Sequence, residues 1–132
     1  MRFLLDTHLL LWAANGTNEG GRALPTQVLE MIEDVANEPV FSVASLWEVA
    51  IKNALGRRDF AFDPRLLRRG LLDNGYVELV IAGNHATAVA GLPPLHRDPF
   101  DRILIAQAMV EGMPLFTVDR TFARYPGPIK IF

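Results

Sequence analysis

The chain has 132 residues, half of them hydrophobic, with no cysteine and a formal net charge of −2. That length suits one domain with a real core, expected over residues 1–132, and the lack of cysteine excludes a disulfide framework, thiolate chemistry and zinc-thiolate sites, which fits a reducing cytoplasm. No apolar run approaches membrane-spanning length, and Asp6 interrupts what would be the apolar region of a signal peptide, so neither a membrane nor a secretory route is expected.

In chain order, residues 2–5 read as a buried strand and Thr7 to Ala14 as a short apolar helix ending at Asn15-Gly16. Residues 15–24 are polar and rich in Gly and Asn, and read as a loop. Pro25 suits a first helical turn, and Val28, Leu29, Ile32, Val35 and Ala36 recur at helical spacing through to Pro39. Val40 to Val43 reads as a second strand. Ser45 then starts a helix whose apolar face runs through Leu46, Val49, Ala50 and Ala54, stopped by Gly56. Pro64 opens another helix to about Asn74-Gly75, and Tyr76 to Ile81 alternates as a strand. A small-residue helix over Asn84–Ala90 leads to a loop at Gly91-Leu92-Pro93-Pro94. Residues 99–111 form the most apolar helix, between Pro99 and Gly112, and Leu115–Val118 and Ile129–Phe132 are the last strands. Strand and helix alternate from end to end, which predicts a three-layer α/β/α domain with a mainly parallel sheet.

Charge is unevenly spread. Residues 52–69 carry six basic side chains against two acidic ones, and the rest of the chain carries seven against thirteen. The basic stretch, with Lys52, Arg57 and Arg58 at its start, is either a solvated helix end and loop or a surface for a phosphate backbone.

Four carboxylates stand at or near points where a strand hands over to a helix or turn: Asp6, Glu48, Asp101 and Asp119. In a parallel sheet the strand C-termini share one edge, where ligands bind. Acids gathered there repel unless a divalent cation neutralises them, and oxygen-only ligation favours Mg²⁺ or Mn²⁺. Each acid also has a plain structural role. Ser45-x-x-Glu48 spells a capping box, Asp98-Pro99 an N-cap before a first-turn proline, and Asp6 and Asp119 stand where they can open a helix and a turn. Asp98 is assigned to capping first and to the metal site second. Thr117 either packs within its strand or orients a carboxylate or water. Nucleotide-cradling Gly loops, HExxH and a nucleophile elbow are all missing from the sequence. His8 reads as a packing or hydrogen-bonding residue and His96 as a possible substrate contact, while Trp12 and Trp47 read as core or interface residues.

Phe3-Leu4-Leu5-Asp6-Thr7-His8 with Leu11-Trp12, Ser45-Leu46-Trp47-Glu48 through Lys52 to Leu55-Gly56, His96-Arg97-Asp98-Pro99-Phe100-Asp101 through Ala108, and Leu115 to Asp119 together resemble the PIN-domain family. More narrowly, they are similar to the VapC-type toxins of bacterial toxin–antitoxin pairs. The resemblance runs from residue 3 to 119 and maps the family's acidic quartet onto Asp6, Glu48, Asp101 and Asp119, with Thr117 at a position that supports the metal site. It implies a Mg²⁺- or Mn²⁺-dependent endoribonuclease, usually a homodimer, held inactive by an antitoxin whose C-terminal segment lies over the active site. In that reading Asp6 and Asp101 are primary ligands, Asp119 a second-site or water-mediated ligand, and Glu48 a ligand or base. Lys52, Arg57 and Arg58 meet the RNA. The alternatives are a phosphatase with Asp6 as nucleophile, which wants an acid where His8 stands, and a receiver-like binding module, which wants a Lys soon after Asp119. A protein that keeps the acids but only binds partners is a third.

Overall fold

The structure, a computed structural model, describes residues 1–15, 24–95 and 97–132. Five strands, β1 (Arg2–Leu5), β2 (Glu38–Ser42), β3 (Val77–Leu79), β4 (Leu115–Thr117) and β5 (Ile129–Ile131), form one sheet in the order β3-β2-β1-β4-β5. Every neighbouring pair is parallel. Helices α1 (Thr7–Asn15), α2 (Thr26–Glu33) and α4 (Pro64–Asp73) and helices α5 (Gly83–Ala88) and α6 (Pro99–Glu111) contribute to the layers on the sheet's two faces, and α3 (Val43–Ala54) feeds both cores. The three-layer α/β/α architecture is the one that strand–helix alternation predicts.

Alternation along the central strands builds the two cores. In β1, Phe3 and Leu5 face α1, α2 and α4 while Leu4 faces α6; β2 splits Phe41 from Val40, and β4 splits Phe116 from Leu115. All seven side chains are fully buried, so a slip of one residue in β1 would exchange its two faces. Phe3 stacks on Phe116 with ring centroids 4.5 Å apart, tying β1 to β4.

Strand order creates the feature that matters for function. From β1 the chain builds outward through β2 to β3, then returns to the other side of β1 for β4 and β5. The order therefore reverses between β1 and β4, and the C-terminal ends of strands on either side of such a reversal are where parallel sheets bind ligands. Leu5 pairs in register with Phe116, so the next residues on each strand, Asp6 and Thr117, emerge side by side there.

Of the boundaries that differ from the sequence reading, three bear on the site and its surroundings. α2 ends at Glu33 rather than running to Pro39. The Asp34 carboxylate accepts the Ala36 amide at 2.9 Å and the Asn37 side chain donates to the Met31 carbonyl, so local polar bonds close the helix and Val35 projects fully into solvent. β2 consequently begins at Glu38, with Pro39 near its start. α3 begins at Val43, capped by the Ser42 hydroxyl accepting from the Ala44 amide at 3.0 Å. The capping box expected at Ser45 and Glu48 does not form, because both residues lie inside the helix, facing inward.

Candidate functional site

The β1–β4 switch point gathers acids from four places in the chain. Asp6 is delivered by β1, its amide donating to the Phe116 carbonyl at 3.0 Å. One carboxylate oxygen caps α1 by accepting the Leu9 amide at 2.9 Å; the other accepts the Thr117 hydroxyl at 2.5 Å. Burial pushes the Asp6 carboxyl up to about 6 despite those two hydrogen bonds; His8 opposes the rise and the negative charge of Asp119 adds to it. Thr117 has a double role, since its oxygen also accepts the Asp119 amide at 3.0 Å. One hydroxyl thus links the first and last of the four acids. Asp119 is exposed and opens the 3₁₀ turn Arg120–Arg124, accepting from the Thr121 amide at 2.9 Å and hydroxyl at 2.6 Å.

Glu48 and Asp101 come from the other side of the site. Glu48, one turn into α3, is buried; its Oε2 accepts from Lys52 Nζ at 2.5 Å and its Oε1 has no hydrogen-bond partner among the described residues. Asp98 caps α6 through Oδ1, accepting the Phe100 amide at 2.8 Å, while its Oδ2 takes Lys52 Nζ at 3.1 Å. Asp101 is half-buried in the first turn of α6. A helix N-terminus should favour its charge. Instead burial, then the charges of Asp98, Glu48 and Asp6, push its carboxyl up to about 8, while Lys52 pulls the other way. Charges from three elements converge on this one carboxyl.

Hard carboxylate donors, a partnerless buried oxygen on Glu48 and mutual repulsion at Asp101 fit a divalent cation chemically. Among the described residues, however, no three His, Cys, Asp or Glu side chains stand close enough together to hold a metal ion as they are placed.

Lys52, expected among RNA contacts, points inward. Its side chain is 17% exposed and its ammonium lies between Glu48 and Asp98. Arg57 lies over the Phe60 ring and forks onto Asp59, at 3.1 and 2.9 Å. Arg58 is exposed at the start of the 3₁₀ turn Arg58–Phe60. Further along the basic stretch, Arg68 forks onto Glu78 at 2.6 and 3.1 Å. His8 faces Asp59 at 3.4 Å and packs edge-on to Phe60, and His96 lies outside the described residues. Trp12 is half-buried against the α1 side of the core. Trp47 is 60% exposed rather than core, touching Phe100 edge-to-face.

Two features escaped the sequence reading. Thr7 and Ser45 share a buried hydroxyl–hydroxyl bond of 2.9 Å that ties the start of α1 to α3 beneath the acids. The inward lysine was partly legible, since Glu48 and Lys52 stand four residues apart on one helix face.

A family model described as PIN domain matches residues 3–128. Among solved structures, the chain is similar to VapBC2 from Rickettsia felis bound to a DNA fragment from their promoter, with a TM-score of 0.69 and 14% identity over 99% of this chain and 98% of that one. It is also similar to VapBC-1 from nontypeable Haemophilus influenzae, with a TM-score of 0.63 and 16% identity over 99% and 98% of the two chains. At these identities the likeness is one of fold. No curated protein matches the chain by sequence.

Proposed function

This chain belongs to the PIN-domain family, and on that premise we propose that it is a Mg²⁺- or Mn²⁺-dependent endoribonuclease of the VapC toxin type, restrained by a cognate antitoxin. The observation that carries the reading is Asp101, a carboxyl driven up to about 8 by burial and by three neighbouring acids at the switch point. Plain capping explains Asp98 and Asp119, but it does not explain why a helix-terminal acid is placed where other acids repel it.

Asp6 and Asp101 are the primary ligands in this reading, with Asp119 a second or water-mediated one. These carboxylates would hold a divalent ion, which would supply polarisation of a phosphodiester oxygen and activation of a water near neutral pH. Thr117 fixes Asp6 Oδ2, so the other side of that carboxylate is set by the α1 cap and cannot swing freely. Glu48 Oε1, buried and without a hydrogen-bond partner among the described residues, serves in this reading as acceptor of the proton of an attacking water. Arg57 and Arg58, at the rim beyond α3, meet backbone phosphates.

Protein partners are supported by surface rather than by the acids. Trp47, Ile51 and Leu55 form an exposed apolar stripe along α3, which we assign to a homodimer contact. No helix of the described residues is long and apolar enough to cross a membrane.

The direct test is incubation of the purified protein with mixed single-stranded RNA, first in EDTA and then with added Mn²⁺ or Mg²⁺. Cleavage that appears only with metal supports the proposal. Intact RNA under every condition, with folded protein, removes the nuclease reading. Sedimentation at rising concentration tests the dimer, which a constant monomer mass contradicts.

A further inference from the structure

The turn Arg120–Arg124 leaves the site directly from Asp119 and carries a basic side chain at each end. Arg120 and Arg124 are both exposed, and among the described residues neither has a carboxylate partner. The turn beneath them is anchored. Phe122 and Tyr125 are buried in the core that faces α6. The Asp119 carboxylate accepts the Thr121 amide and hydroxyl at 2.9 and 2.6 Å, and the Asp119 amide donates to the Thr117 oxygen at 3.0 Å. Thr117 in turn donates to Asp6 at 2.5 Å. A continuous run of hydrogen bonds therefore joins Asp6 to the base of this turn, while its buried aromatics leave the two arginines on the solvent side.

The more basic stretch of the chain is less available than its charge suggests. Lys52 is held by Glu48 and Asp98, Arg57 by Asp59, and Arg68 by Glu78, although Arg58 stays exposed. In α6, Arg102 is committed to the Pro93 and Val89 carbonyls. A polyanion is repelled by a cluster of acids, so an RNA strand that reaches them needs positive charge close by. We infer that Arg120 and Arg124 form a phosphate-binding site for the RNA strand on the β4 side of the acids. This rests on the ribonuclease reading given above and deepens it. In the sheet, β2 and β4 lie on the two sides of β1. β2 leads into α3 and the Arg57–Arg58 rim, and β4 leads into the Arg120–Arg124 turn. A strand held at both places spans β1, whose end delivers Asp6. Guanidinium groups suit the task, since their forked donors match phosphate oxygens and they stay charged at any working pH. Contacts of this kind supply affinity and register without reading sequence.

Fluorescence anisotropy of the full chain with labelled single-stranded RNAs of different sequence tests this across a range of salt, in EDTA to withhold divalent metal. Arg120→Ala with Arg124→Ala should weaken binding to every RNA alike. The slope of log K against log salt should become shallower by roughly 1.4, at about 0.7 for each of two lost phosphate contacts. Arg120→Lys with Arg124→Lys retains both charges and should retain the wild-type slope. Circular dichroism confirms that each variant is folded, and glutamine replaces alanine if the alanine variant is not. Unchanged affinity and slope in the folded neutral variant would overturn the inference, and metal-dependent cleavage by the wild type would still uphold the ribonuclease reading. A lysine variant as shallow in slope as the neutral one would overturn it too, since charge would not be the cause. Failure of the folded wild type to bind any RNA would also overturn it, and RNA left intact with Mn²⁺ would then remove the ribonuclease reading as well.

Discussion

The two ends of α6 treat ionisable groups in opposite ways. At the C-terminal end Glu111 sits against the helix dipole, yet the His85 ring faces it at 3.1 Å, and that ring's other nitrogen accepts the Ala82 amide at 2.9 Å. Gly112, at φ 66°, closes the helix in the left-handed conformation that glycine tolerates best. At the N-terminal end the dipole favours acids, Asp98 caps well, and Asp101 is nevertheless forced up to about 8 by its neighbours. One end is arranged for stability. The other carries a concentration of negative charge that Lys52 offsets only in part, and carboxyls perturbed in this way cluster at functional sites.

Substitutions at the two ends should therefore separate activity from stability. The largest effect is expected for Asp101→Asn and Asp6→Asn, each lowering RNA cleavage by at least ~100-fold, as for loss of a metal ligand or its charge. Glu111→Gln, at the satisfied end, should leave cleavage within about twofold while lowering the melting point, since a charge-assisted bond contributes about 1.5–3 kcal/mol. Equal loss of cleavage at both ends would erase the contrast.

Next in size is Thr117→Val. It deprives Asp6 Oδ2 of its hydroxyl donor inside a buried site, so cleavage should fall ~10-fold and stability by about 1–3 kcal/mol. Wild-type cleavage in Thr117→Val would reduce Thr117 to strand packing.

Stability against pH sharpens the comparison without any substrate. The folded Asp101 carboxyl lies near 8 and Asp6 near 6, both above the unfolded value of 3.8. Between those values the folded state holds more protons than the unfolded one, so stability falls as pH rises. The metal-free wild type should thus lose stability from about pH 4 to about pH 8, and the upper part of that window, from 6 to 8, belongs to Asp101. Asp101→Asn should flatten the upper part by at least about 1 kcal/mol, the worth of one pKa unit. Parallel curves for the two proteins would mean that Asp101 is not strained.

The smallest effect concerns the basic rim. Arg57→Ala with Arg58→Ala should weaken binding to all RNA sequences alike and make the slope of log K against log salt shallower by roughly 0.7 per lost phosphate contact. An unchanged slope would leave Arg57 as the partner of Asp59 and nothing more.

Much of the architecture was legible because it depends on local pattern. Short apolar runs marked β1, β2 and β4, alternation marked β3, and proline, glycine and Asp98 bounded α6. The strand order was not legible, since nothing local tells β4 to return beside β1. The early end of α2 was hidden because Val35 and Ala36 fall at helical spacing, while the side-chain bonds of Asp34 and Asn37 decide the matter. The site was legible as a list of acids but not as an arrangement. Thr117 could be placed only as an option, because its hydroxyl meets a residue 111 positions away. Lys52 looked like half of a surface pair, since its second carboxylate, Asp98, arrives from 46 positions along the chain.

The central claim, that the N-terminal end of α6 holds repelling acids awaiting a cation, is tested most directly by the melting point of wild type and Asp101→Asn in EDTA and then in Mg²⁺. In EDTA at pH 8 the variant should melt no lower than wild type, and higher if repulsion dominates. Mg²⁺ should then raise the melting point of the wild type more than that of the variant, because only binding to the folded state stabilises it. Under a purely capping role the variant would instead melt lower by the equivalent of about 0.3–1 kcal/mol with or without metal. A destabilised, metal-blind and fully active Asp101→Asn protein would contradict the account.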